Sequence, residues 1–212
     1  MKKLFLIFLL IIIANGGSIA LADIKLPNPD TIGKMPLETA IYQRRSIRSF
    51  LEKDLSMEQI SQLLWAAQGI TDKKSGFRSA PSAGALYPIT IYVAKKDGLY
   101  EYLPKTHSIR MVTDKDLRGN LASASMGQRS VSQAAVDIII TANYKITQTK
   151  YGSRMDMYVW LEAGHIAQNV LLQAVALGLA SVPIGVFNDS QVKSTIKTKD
   201  PLYILPIGYP AR

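Results

Sequence analysis

The stretch Tyr158–Gly185, YVWLEAGHIAQNVLLQAVALGLASVPIG, does most to limit what this chain can become. From Tyr158 to Leu177 it holds no proline and one glycine, and its apolar residues, among them Val159, Leu161, Ala163, Ile166, Val170 and Leu171, fall on more than one face. A helix of that kind is expected to be surrounded by protein rather than laid on a surface. Gly178 stands where a C′ residue takes a positive φ and ends the helix. Ala180–Val182 then reads as a short strand, and Pro183-Ile184-Gly185 as a tight loop with open backbone. Helix, strand and open loop in that order suit the holding of a flat cofactor.

The rest of the composition narrows the chemistry. With 212 residues and no internal repeat, one domain is expected. A chain 48% hydrophobic and 19% charged can bury a core. The absence of cysteine excludes a disulfide scaffold, a thiolate metal site and a cysteine nucleophile, so redox chemistry would need a bound cofactor.

Residues 1–22 read as a signal peptide. Lys2-Lys3 precede an unbroken apolar run, Leu4–Ala14, and Ala20-Leu21-Ala22 fits a small-x-small cleavage site. The run falls well short of the ~20 residues that a spanning helix needs, which weighs against an uncleaved anchor. The expected product is a single domain over residues 23–212, exported and periplasmic, with no stable membrane span. Loss of Lys2 and Lys3 takes the formal charge from +9 to +7, with 23 basic against 16 acidic side chains. That balance suits an anionic partner such as a phosphate-bearing ligand. No long basic run or nucleic-acid motif is present, and nucleic acid is not an expected partner.

After an aperiodic arm, Asp23–Lys34, Pro36 is placed to open a short helix carrying Leu37, Ala40 and Ile41. It leads into Arg44-Arg45-Ser46-Ile47-Arg48-Ser49-Phe50. If that segment is extended, Arg44, Ser46 and Arg48 share one face, two guanidinium groups with a hydroxyl between them. Such a face can clamp a phosphate, and it can equally be a solvated basic patch. Ser56-Met57-Glu58-Gln59 is a capping box for a helix that buries Ile60, Leu63, Leu64 and Ala67 and closes at Gly69. The loop Ala80-Pro81-Ser82-Ala83-Gly84-Ala85-Leu86-Tyr87-Pro88 is built of small residues, so its backbone could approach a ligand, or it could be a plain connection.

Ile89–Ala94 and Leu99–Leu103 alternate as strands around an Asp97-Gly98 turn. Asp114–Ala124 reads as helix, Ser125–Ser132 as loop or helix, Val136–Ala142 as a buried strand, and Tyr144–Arg154 as a polar, flexible stretch containing Lys150-Tyr151. Asp189–Lys197 is weakly helical and Tyr203–Leu205 is an apolar strand. Helices and hairpins interleave without a βαβ rhythm, which predicts an α+β fold with a mixed or antiparallel sheet around the long helix. Glu162-x-x-His165, followed by Asn169, has a metal-ligand spacing, yet no second such helix exists, and a stripe hydrogen-bonded internally or facing a subunit partner is expected rather than a metal. No nucleophile elbow, P-loop or G-x-G-x-x-G fingerprint occurs.

In order, Arg44–Phe50, Leu63-Leu64-Trp65-Ala66-Ala67-Gln68-Gly69, Pro81–Pro88, Leu161–Asn169 and Ser181-Val182-Pro183-Ile184-Gly185 resemble the nitroreductase superfamily of flavin enzymes, in particular its SagB-type thiazoline/oxazoline dehydrogenase branch. The resemblance spans Ile41–Tyr209. It implies a nitroreductase-like sheet flanked by helices in an intertwined homodimer, with FMN at the subunit interface. It also implies that Arg44, Arg45 and Ser46 hold the phosphate, that Arg48 lies beside the flavin N1/O2 edge, and that Gln128 reads the pyrimidine edge. Gly185 would offer its N–H near N5 with Pro183 and Ile184 under the ring, while Ser82, Ala83 and Gly84 reach FMN from the partner subunit. Lys150 and Tyr151 match a catalytic pair that can move the proton accompanying hydride transfer. In many relatives a C-terminal tail adds another cation, a place that Arg212 would fill here. The function implied is FMN-dependent oxidoreduction of small electrophiles such as nitroaromatics or quinones, or dehydrogenation of peptide azolines. NAD(P)H is the family's usual donor, although it is scarce outside the cytoplasm. A non-catalytic exported protein that keeps the flavin or ligand pocket is the competing class.

Overall fold

A computed structural model describes residues 23–211; the expected signal peptide and Arg212 lie outside the described residues. In chain order the strands are β1 (Ile24–Lys25), β2 (Ile70–Asp72), β3 (Phe77–Arg78), β4 (Ile89–Lys95), β5 (Gly98–Leu103), β6 (Ser108–Thr113), β7 (Val136–Ala142), β8 (Ala180–Ser181) and β9 (Asp200–Gly208). The helices are α1 (Leu37–Gln43), α2 (Met57–Gln68), α3 (Arg118–Ala124), α4 (Arg129–Gln133), α5 (Tyr144–Tyr151), α6 (Met155–Ala176) and α7 (Asp189–Ile196). Among the described residues no helix is long and apolar enough to cross a membrane.

Seven strands form one sheet in the order β1-β6-β5-β4-β7-β9-β8, and every ladder in it is antiparallel. The run Val136–Ala142 becomes its middle, paired with β4 on one side and β9 on the other, and all seven residues are buried. Because side chains alternate across a strand, Ile138 and Ile140 enter the core beneath α2 and α6, whereas Ile139 enters the core with Leu121, Val131, Val192 and Ile196 of α3, α4 and α7. Both faces are therefore covered, which fits a strand whose residues other than Asp137 and Thr141 are apolar. Each such isoleucine contributes roughly 1.5–3 kcal/mol of burial.

α6 holds the centre of one layer, packed against α1, α2 and α5. It runs from Met155 to Ala176, and Gly178 at φ 70° lets Leu179 N–H return to the Ala174 carbonyl at 2.8 Å. Val159, Ala163, Ile166 and Val170 are buried, but Met157, Trp160 and Leu161 are exposed. The chain alone does not enclose this helix, because those side chains lie on its far side. The capping box at Ser56 forms with both bonds, and α2 buries Ile60, Leu63, Leu64 and Ala67 as the spacing requires.

Several local expectations are corrected. Tyr144–Tyr151 is helix, not a flexible stretch: Thr147 is buried and Tyr144 packs against the core. The helix expected from Asp114 begins only at Arg118, whose N–H and guanidinium are both held by Asp116. Pro36 precedes α1 with extended ψ rather than standing inside it, and of Leu37, Ala40 and Ile41 only Ala40 is buried. The polar stretch after Gly69 folds into the β2–β3 hairpin. The arm is not loose: β1 pairs with β6, and the Ser61 hydroxyl donates to the Pro27 carbonyl at 2.6 Å.

Candidate active site

Three stretches far apart in sequence meet at the β8 edge of the sheet. α1 ends at Gln43, and Arg44 leaves it with φ −56° and ψ 122°. The following segment is extended, with Ser46 bridged in parallel to Ser181 and Ile47 N–H donating to the Ser181 carbonyl at 3.0 Å. Farther on, Leu51 N–H donates to Tyr209 at 2.9 Å and Ala211 N–H to Ser49 at 3.0 Å. The expected extended path is therefore real, and Ser46 and Arg48 are exposed on it. None of the four ion pairs among the described residues uses Arg44, Arg45 or Arg48. Arg45 is partly committed, since its Nη1 donates to the Tyr42 and Arg44 carbonyls at 2.9 and 2.7 Å, where the end of α1 favours a cation.

Ser181 leads directly into Pro183-Ile184-Gly185. Ile184 exchanges two backbone bonds with Ile204, at 2.8 and 3.1 Å, which fixes a buried Ile184 and leaves Gly185 exposed just beyond it. Gln128 arrives from the opposite layer. It follows a tight turn in which Met126 and Gly127 have φ 57° and 71°, and its amide donates to the Val186 carbonyl at 3.3 Å. Arg44–Arg48, Gln128 and Pro183–Gly185 thus line one edge as a group.

Ser82, Ala83 and Gly84 belong to a second group. Ala83–Ala85 make one turn of 3₁₀ helix with Gly84 at φ 60°. A Cβ on Gly84, whose φ is positive, would lie 2.8 Å from Lys150 Nζ and 2.9 Å from the Tyr151 hydroxyl, so a larger residue there would displace the tips of both side chains. α5 therefore brings Lys150 and Tyr151 together against the small-residue loop, and the Tyr151 ring packs on Tyr158 of α6 at 4.7 Å.

Behind the loop lies a polar chain that the sequence did not disclose. Tyr87 N–H donates to Ser82 Oγ at 2.9 Å, and Arg78 N–H donates to the Tyr87 hydroxyl at 3.1 Å. The Arg78 guanidinium stacks 4.3 Å above the Tyr87 ring and its Nη1 donates to Gln68 Oε1. Gln68 Nε2 in turn donates to Glu162 Oε1 at 3.3 Å, which joins Glu162 to Arg78 through Gln68. Glu162 is 2% exposed, and burial pushes its pKa up to about 7 against the opposing pull of Ser82, Gln68 and the Arg78 charge. The expected stripe on α6 is divided: Glu162 and Asn169 turn inward, the latter donating to the Ser79 carbonyl at 3.3 Å, while His165 is exposed. The spacing of Glu162 signalled an inward polar residue; Gln68 and Arg78 gave no sign of being its partners, because only the fold joins them.

Within one chain no hydrogen bond among the described residues joins the β8-edge group to the Ser82–Lys150 group.

The sequence profile described as "Nitroreductase family" matches residues 41–209. The Methanocaldococcus jannaschii protein MJ1384, which carries a nitroreductase name, is 40% identical over 193 residues, 88% of this chain and 96% of that protein. A crystal structure from Ralstonia eutropha JMP134, also named for a nitroreductase, matches with a TM-score of 0.82 at 32% identity, over 92% of this chain and 93% of that one. The microcin B17-processing protein McbC of Escherichia coli is 26% identical over 176 residues, 76% of this chain and 65% of that protein. With the profile spanning every strand of the sheet except β1 and a relative at 40% identity along nearly its full length, the chain belongs to the nitroreductase family.

Proposed function

We propose that this protein is an exported FMN-dependent oxidoreductase, its signal peptide removed after Ala22, and that it works as a homodimer. One observation carries the reading: an extended segment with arginines free of ion pairs, an amide side chain and an exposed glycine backbone meet at one sheet edge, although they come from separate parts of the sequence. That donor set fits a flavin mononucleotide. Fixed cations and a hydroxyl suit the phosphate, and the Gln128 amide and Gly185 N–H suit the polar edge and N5 of the ring.

Bound FMN supplies hydride transfer at N5. In that arrangement Arg44, Arg45 and Ser46 hold the phosphate, with Arg45 already steadied by two backbone carbonyls. Arg48 places a positive charge beside the pyrimidine edge. Pro183 and Ile184 form an apolar floor, held by the paired bonds to Ile204, which limits the access of water from below. Ser82, Ala83 and Gly84 come from the second subunit. Lys150 and Tyr151, gathered at Gly84, hold and move the substrate proton. The substrate is a small electrophile or, as similarity to a microcin-processing protein suggests, a peptide azoline.

The test is the absorbance spectrum of the purified protein, with identification of the chromophore released on denaturation. FMN is expected, together with reduction by a small donor and turnover of a quinone or azoline peptide. A yellow but inert protein would instead support a binding role. Arg44→Ala combined with Arg48→Ala is expected to lower FMN retention at least 100-fold, since two charge-assisted contacts contribute about 1.5–3 kcal/mol each. Full occupancy in that double variant would exclude the clamp.

A further inference from the structure

The edge of the sheet opposite β8 carries a second gathering of cations. There β1 pairs with β6, and Leu26 N–H donates to the His107 carbonyl at 3.1 Å, so the arm runs along the turn between β5 and β6. The arm is tied to α2 as well: Asp30 N–H donates to Gln62 Oε1 at 2.8 Å, and Gln62 Nε2 to the Asp30 carbonyl at 2.9 Å. Arm, turn, α2 and the β2–β3 hairpin thereby wall a cleft of about 670 Å³. Lys25, Lys73 and Lys105 line it together with Trp65, Ile70 and His107, and no Asp or Glu among the described residues does. None of the four ion pairs among the described residues uses these lysines. The acids closest to them in the arm and the hairpin are engaged in their own turns: Asp30 Oδ1 accepts from Ile32 N–H and Asp72 Oδ1 from Lys74 N–H, both at 2.9 Å. Lys25 Nζ donates to the Thr106 carbonyl, which holds one cation over the β5–β6 turn with donors to spare.

His107 is a half-buried member of this lining, with φ 47°, a backbone region uncommon outside glycine. Its ring is fixed on both sides: Nδ1 lies 2.9 Å from the Tyr102 hydroxyl, and Nε2 lies 2.7 Å from Ser61 Oγ and 3.1 Å from the Pro27 carbonyl. Ser61 gives its own hydrogen to Pro27, so both neighbours of Nε2 present lone pairs. The neutral ring therefore carries its hydrogen at Nε2 and accepts from Tyr102 at Nδ1. Burial lowers the pKa of His107; the Pro27 carbonyl opposes this and the Lys25 charge adds to it. We infer that this cleft binds a small ring-bearing phosphate monoester, with Lys25, Lys73 and Lys105 around the dianion and the ring against Trp65. Three cations without acidic partners match a doubly charged group, and an ammonium is a point charge suited to phosphate. The indole and Ile70 offer the apolar wall that a flat ring covers. The cleft stands at the other edge of the sheet from Arg44–Arg48, and the inference does not rest on the flavin reading. A bound dianion offsets the Lys25 charge and favours the His107 cation, so His107 reports occupancy.

Phenyl phosphate, added to the protein as purified, is the probe. Followed by NMR, the titration midpoint of His107 is expected to rise by about 0.5 or more in its presence, while that of His165, exposed on α6, stays in place. An unmoved His107, or equal movement of both histidines, overturns the inference. Calorimetry then compares variants. Lys73→Gln combined with Lys105→Gln, both at exposed positions, is expected to weaken phenyl phosphate binding about tenfold or more, the scale of lost charge-assisted contacts. Wild-type affinity in that double variant, with an unchanged circular dichroism spectrum, overturns the site. Arg44→Ala combined with Arg48→Ala should bind phenyl phosphate as the wild type does; a loss there would place the ester at the β8 edge and overturn the inference, whereas failure of the wild type to hold FMN bears only on the flavin reading. Inorganic phosphate is expected to bind about tenfold more weakly than phenyl phosphate, and equal affinity overturns the contact with Trp65. Lysine-dependent sedimentation with phosphatidylcholine vesicles containing phosphatidic acid, without any response to phenyl phosphate, would overturn the small-molecule assignment in favour of a lipid headgroup.

Discussion

Asp137 lies on the central strand β7, fully buried, and neither of its carboxylate oxygens has a hydrogen-bond partner among the described residues. The nearby guanidinium of Arg118 is already bound to Asp116 and to the Ala134 carbonyl at 2.8 Å. Burial accordingly raises the Asp137 carboxyl well above the ordinary range; the Arg118 charge opposes this and that of Asp116 adds to it. A group raised in the folded state binds its proton there while the unfolded chain has released it. Its stabilising contribution is therefore complete in acid and is lost as pH rises from the ordinary carboxyl range through the folded value. Glu162 acts with the same sign between its ordinary 4.5 and about 7, an interval equivalent to about 3 kcal/mol. Cofactor-free protein is thus expected to lose unfolding free energy between pH 5 and pH 8. Asp137→Asn should make that decline shallower by roughly 1–3 kcal/mol, the cost of one buried unpaired polar group. Comparing the two proteins cancels the opposite contribution of His107, which burial lowers. Urea unfolding at both pH values reads the result, and equal slopes would contradict this account of Asp137.

The elements differ in how well their residues announce them. β7 and α2 were legible because the apolar pattern of each is plain: Val136 and the run Ile138-Ile139-Ile140 in one, Ile60, Leu63, Leu64 and Ala67 in the other. The Asp97-Gly98 signal likewise led to the β4–β5 hairpin, in which Lys95 pairs with Gly98. β6 escaped because Arg110 and Thr113 interrupt its apolar residues, and it is held chiefly by ladders to β5 and β1. α5 escaped because Tyr144–Tyr151 is mostly polar and rests on tertiary packing. The candidate site was legible where one stretch carries its own charge, as Arg44–Arg48 does, and hidden where the fold joins partners, as in the chain of Gln68, Arg78 and Glu162. The unexpected helix matters for the proposed function, since it is the end of α5 that sets Lys150 and Tyr151 against Gly84. Lys150→Ala should lower turnover by about 10²–10⁴-fold, the usual span for a lost proton-transfer group, while FMN stays bound and helix content is unchanged. Wild-type rates in that variant would return Lys150 to a surface role.

At the scale of the molecule, two faces remain uncovered. α1 exposes Leu37, Ile41 and Tyr42, and α6, on which α1 packs, exposes Met157, Trp160 and Leu161. Apolar side chains grouped on neighbouring helices mark an interface more often than a solvent face. The division of the candidate site agrees, because among the described residues Ser82–Gly84 and the β8 edge share no hydrogen bond within one chain, while both are proposed to meet the flavin. A second copy that packs on α1 and α6 could bring its own Ser82 loop to the first copy's Arg44–Arg48 edge. Leu161 is 51% exposed, so Leu161→Glu should leave the fold of the single chain intact while burying a charge in any such interface. The expected outcome is a monomer by light scattering, with wild-type circular dichroism and FMN retention reduced at least tenfold, since the Ser82–Gly84 contacts to the cofactor leave with the partner. A variant that stays dimeric would move the interface away from α6. A folded monomer that kept its flavin would instead mean that the β8 edge holds the cofactor without the second loop, and that each chain is a complete binding unit.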